Sequence, residues 1–133
     1  MKNTFKKIAA SIMAVASLAI SATGVIASAA EARYGGSGTF YVNGTAVTKY
    51  IDGYKTTAAG STTCNPEYCS SVSVSVTGNY AEGGSKSDYY AATRGTVSVG
   101  FGAESGKSFN KISSSHSATI GTTTGSEDML VYV

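Results

Sequence analysis

Ser71-Val72-Ser73-Val74-Ser75-Val76-Thr77 alternates a hydroxyl with a β-branched apolar side chain at every step. Successive side chains of an extended strand point to opposite faces, so this run has one face of valine and one of hydroxyl. A helix would scatter the same valines around its axis. Val97, Val99 and Phe101 repeat the alternation against Thr96, Ser98 and Gly100, and His116, Ala118 and Ile120 repeat it against Ser115, Ser117 and Thr119. No segment after Ala29 carries a helical stripe. The period of two therefore predicts half-buried strands throughout.

Asn43-Gly44, between two strand-like runs, is the strongest short hairpin signal in the chain. A two-residue turn there pairs Val42 with Thr45 and Phe40 with Val47. Phe40, Val42, Val47 and Ile51 then share one face, and Tyr41, Thr48 and Tyr50 the other, so turn chemistry and apolar pattern agree. Asn43-Gly44-Thr45 also fits a glycosylation sequon, but the turn alone accounts for these residues.

Strands are expected near 38–42, 45–51, 71–77, 87–93, 96–101, 108–113, 115–121 and 128–133. Seven or eight short strands in about 100 residues predict an all-β antiparallel two-sheet β-sandwich, with a small β-barrel as the alternative. Asp52 to Ser70 reads as the longest irregular stretch. Two segments resemble each other internally: each runs from Val-Ser-Val through Ala-Glu to Lys-Ser, ending at Ser87 and Ser108. Two hairpins that solve one turn problem alike account for this better than a duplicated binding loop.

The first 29 residues read as a separate export leader. Lys2, Lys6 and Lys7 precede an Ala-rich apolar run that ends at Ala27-Ser28-Ala29, a small-x-small cleavage pattern that Ser28-Ala29-Ala30 and Ala30-Glu31-Ala32 also fit. Its Ala, Ser and Thr content and Gly24 favour a cleaved signal peptide over a retained membrane span. Residues 30–133 then form a single secreted β domain, expected to be released without a lipid or C-terminal anchor. Cleavage removes three lysines and no acid, leaving seven basic against eight acidic residues. That balance argues against nucleic acid and against an anionic membrane surface as partners. Val, Ile, Leu and Phe total 16 in the exported part, a thin supply, so the nine tyrosines are expected to fill much of the core.

Cys64 and Cys69 are the only cysteines. In an exported chain they are expected to form a disulfide, which outweighs a metal site in a chain with one histidine. So short a loop contributes about 2 kcal/mol at most.

Little in the chain points to catalysis. Gly106-Lys107-Ser108 lacks the upstream glycine of a phosphate-binding loop, that position being Phe101. His116 is the sole imidazole. Ser115, Ser117 and Asp128 are candidate triad partners for it, yet serine is too abundant here for proximity to carry weight. His116 is expected to be structural. The acids sit mostly in predicted turns and form no recognisable pair, and no calcium loop is present. The expectation is a protein that is not an enzyme and needs no cofactor or metal. Tyrosines offer flat amphipathic platforms for sugars or protein surfaces. Tyr54 and Tyr68, flanking the cysteine loop, are the candidate ligand-binding pair.

The leader resembles those of small exported proteins of Gram-positive bacteria. Ser114-Ser115-His116-Ser117-Ala118-Thr119-Ile120 is similar to a strand in the lactococcin 972-like group of secreted bacteriocins. No site residue is carried over from either resemblance. The expected function is that of a secreted, extracellular, non-catalytic binding or adhesion-type module for a cell-surface glycan or protein, monomeric or weakly self-associating. The alternative is a bacteriocin-like antimicrobial or secreted effector.

Overall fold

A computed structural model describes residues 34–133; the leader expected over residues 1–29 lies outside them. Eight strands follow one another: β1 (Tyr34–Val42), β2 (Thr45–Gly53), β3 (Thr57–Cys64), β4 (Cys69–Tyr80), β5 (Ser85–Ala92), β6 (Gly95–Gly102), β7 (Phe109–Ile120) and β8 (Thr123–Tyr132). They form two four-stranded antiparallel sheets, ordered β1-β2-β3-β6 and β5-β4-β7-β8. The sheets face each other as a sandwich and do not close into a barrel. At the sides, β1 lies beside β8 and β5 beside β6.

The first hairpin has the expected register, Val42 opposite Thr45 and Phe40 opposite Val47. Asn43 and Gly44 both adopt positive φ, at 50° and 79°, the backbone that a two-residue turn requires to match strand twist. Phe40, Val42, Val47 and Ile51 are buried. Across the sandwich, Val72, Val74 and Val76 meet them with no exposed surface. Phe109 closes one end of the core, stacked on Tyr80 with centroids 5.0 Å apart and meeting Phe101 edge-on at 6.0 Å. Gly78 makes room for it, since a Cβ there would sit 2.5 Å from the Phe109 ring.

Four expectations need correction. The stretch from Asp52 to Ser70 is not irregular: it contains β3, whose inward positions are Ala58, Gly60, Thr62 and Cys64. Small and polar inward residues hide the alternation of a strand that pairs on both sides. The strands expected at 108–113 and 115–121 are one twelve-residue strand, because Ser114 and His116 occupy inward positions that the apolar pattern leaves blank. The two Val-Ser-Val segments are not two hairpins. The first turns back within its sheet from β4 to β5, whereas the second crosses between sheets from β6 to β7. Finally, tyrosine contributes little to the core. Tyr80 is buried, but Tyr41, Tyr68, Tyr89, Tyr90 and Tyr132 are all exposed.

Candidate functional site

Cys64 and Cys69 are paired, with their Cα atoms 6.1 Å apart. Between them Asn65 organises a tight turn: its carbonyl accepts from the Tyr68 and Cys69 N–H groups and its side chain from the Glu67 N–H. Tyr68 projects from this turn, 54% exposed. Tyr54 lies at the other end of the sandwich, half-buried in the β2–β3 loop, where its N–H donates to the Thr57 carbonyl. The whole of β3 separates the two, about 25 Å at strand rise. They cannot serve one platform.

His116 is fully buried, and both of its ring nitrogens are engaged. Nδ1 lies 2.8 Å from the Thr62 hydroxyl and Nε2 2.7 Å from the Ser114 hydroxyl. Thr62 donates its own proton to the Ser73 carbonyl at 2.9 Å, so its oxygen accepts from Nδ1–H. Nε2 therefore accepts from Ser114. This fixes a neutral imidazole that ties β3 of one sheet to β4 and β7 of the other. Burial lowers the His116 pKa to about 4, and the nearby Lys49 ammonium adds to the effect. Lys49 itself points inward from β2 and forms an ion pair with Glu127 on β8.

Ser114 and His116 have the contact of a nucleophile with its base, but both side chains face the interior. The Nδ1 partner is a hydroxyl where a triad places a carboxylate. Ser115 and Ser117, which the sequence offers as neighbours of His116, lie on the opposite face of β7. The signal for Ser114 was available: the inward alternation of His116, Ala118 and Ile120 extends backward to it.

The outer face of the second sheet has a different character. Ser71, Ser73, Ser75 and Thr77 of β4 run beside Thr119, Ser117, Ser115 and Ser113 of β7 in unbroken register. Irregularities occur only at the two ends of this run, between Cys69 and Ser71 and between Asn79 and Tyr80. Larger residues flank this floor of small hydroxyls. Tyr89, 62% exposed, stands on β5, and Asp128, Leu130 and Tyr132 stand on β8. A depression of about 210 Å³ opens over Ser75, Thr77, Ser113, Ser114, Ser115 and Asp128. A second, of about 590 Å³, lies farther along the same strands, lined by Asn79, Tyr80, Gly84, Asn110, Lys111 and Tyr132. The two follow β4 and β7 as a shallow, open groove, with the Asp128 carboxylate beside the first and the Lys111 ammonium beside the second.

The structure thus defines an antiparallel two-sheet sandwich with a buried polar tie inside and a hydroxyl-covered face outside. No family model matches the chain, and neither a curated protein nor a solved structure shows significant similarity to it.

Proposed function

We propose that this protein is a secreted, non-catalytic binding module whose ligand sits on the outer face of the second sheet. The groove along β4 and β7 carries this reading. Its floor pairs donors with acceptors at every position, and exposed aromatic and carboxylate side chains stand along its rims. The export leader and the cysteine pair support an extracellular setting. The Ser114–His116 contact supports binding over turnover, because both side chains are buried and the Nδ1 partner is a hydroxyl in place of a carboxylate.

The test is retention of the purified protein on bacterial cell surfaces. Ser115→Arg fills the floor from an exposed position and is expected to abolish retention without loss of fold. Tyr41→Ala, on the outer face of the other sheet, is expected to change nothing. Equal retention by Ser115→Arg and the parent would remove the groove as the site. Killing of indicator cells by the parent protein would instead favour a bacteriocin-like effector.

A further inference from the structure

We infer that the groove holds one neutral, extended glycan chain lying along β4 and β7, with Tyr89 and Asp128 gripping the same sugar unit from opposite walls. This rests on reading the outer face as the binding surface, and it names the ligand class.

Strand register supplies the geometry. Tyr89 pairs with Ser75, Ser75 with Ser115, and Ser115 with Asp128, so these four residues form one cross-section of the groove. Three inter-strand spacings set the walls about 14 Å apart at Cα. Once the wall side chains project inward, the floor admits a single chain. A tyrosine ring can cover the C–H face of a pyranose. The serine hydroxyls donate and accept, and the carboxylate accepts from sugar hydroxyls. Two rows further on, Asn79 and Lys111 form the floor and Tyr132 stands on the opposite wall.

The same chemistry disfavours the other macromolecules. Protein interfaces are depleted in serine and rely on buried aromatic, Met and Arg anchors, which this floor lacks. Nucleic acids and acidic polysaccharides need clustered cations, whereas Lys111 is the one cation along the groove and Asp128 offsets it. Beyond the Ser75–Ser115 row the hydroxyl face continues through Ser73, Ser117, Ser71 and Thr119, so a chain can extend past the site in that direction. Strands paired in unbroken register repeat the same hydroxyl row along one direction, which suits an extended ribbon such as a β-1,4-linked polymer and not a coiled α-1,4-linked one.

Cellohexaose, chitohexaose, maltohexaose and a hexamer of galacturonic acid, each titrated into the full exported protein by calorimetry, test this. Cellohexaose or chitohexaose is expected to bind, and Tyr89→Ala and Asp128→Asn are each expected to weaken that binding about tenfold. Tyr41→Ala is expected to leave it unchanged. Preferential binding of maltohexaose or the acidic hexamer would overturn the inference. So would failure of both β-linked hexamers while cell-surface retention persists and remains sensitive to Ser115→Arg, a result that leaves the binding module standing with a different ligand. Loss of retention in the parent protein as well would overturn both.

Discussion

His116 shows how much one polar residue can decide in a core this small. An imidazole between two sheets is tolerated because Thr62 and Ser114 satisfy both nitrogens, leaving neither ring nitrogen unpaired. The arrangement accepts only the neutral ring. Lys49 faces the site from β2 and opposes a second positive charge. Asp128 on β8 and the Ser61 carbonyl on β3 favour one, but burial outweighs them. The folded pKa lies below the unfolded value, so the unfolded chain binds the proton first as pH falls. Stability from this group is complete above about pH 6.5 and declines as the pH falls toward 4. The span corresponds to about 3 kcal/mol. Because His116 is the only histidine, its imidazole NMR signal can be followed without assignment ambiguity. An apparent pKa near 4 in the folded protein is expected; a value near 6.5 would mean that the ring is solvated.

At the scale of elements, the second sheet has two open edges, and each is guarded. In the β4–β5 hairpin the Tyr80 N–H donates to the Gly84 carbonyl, a phase that directs the N–H groups of Ser87, Tyr89 and Ala91 toward the open side. The Asp88 carboxylate folds back and accepts from the Tyr89 N–H at 2.8 Å. On the far edge, Lys49 reaches outward from between the sheets to Glu127 and to the Asp128 carbonyl. Inward-pointing or edge-capping charges of this kind discourage edge-to-edge pairing. Asp88→Ala is therefore expected to increase self-association in sedimentation velocity at high protein concentration, with unchanged circular dichroism. A sedimentation profile identical to the parent would show that Asp88 has no such role.

The elements also show what the sequence could and could not disclose. Strands whose inward positions are valine, such as β4, announce themselves, and Asn43-Gly44 fixes both a turn and a register. β3 was hidden because the valines of β4 and the strands beside it leave room only for Ala58, Gly60, Thr62 and Cys64. The polar tie was hidden for a related reason. Ser114 and Thr62 look like surface residues until the fold places each beside a ring nitrogen. Tyr54 and Tyr68 looked like neighbours because an unrecognised strand was read as a loop between them. The hydroxyl face was legible in Ser71 to Thr77, but its walls come from β5 and β8, and which strands flank it depends on a topology that no local pattern encodes.

Taken whole, the molecule assigns different work to the two sides of each strand. The inward sides supply valine, isoleucine and phenylalanine, with one enclosed hydrogen-bonded cluster. The outward sides of the second sheet supply a nearly uncharged lattice of hydroxyls bounded by aromatic and acidic rims. The claim that this outer face is where the protein meets its partner is tested most directly by chemical-shift mapping of the isotope-labelled protein titrated with chitohexaose or cellohexaose. Perturbations are predicted along Ser73 to Asn79 and Lys111 to Thr119, extending to Tyr89 and Asp128. Perturbations clustered instead around Tyr41 and Tyr50, or at the Tyr54 or Tyr68 ends of the sandwich, would contradict it.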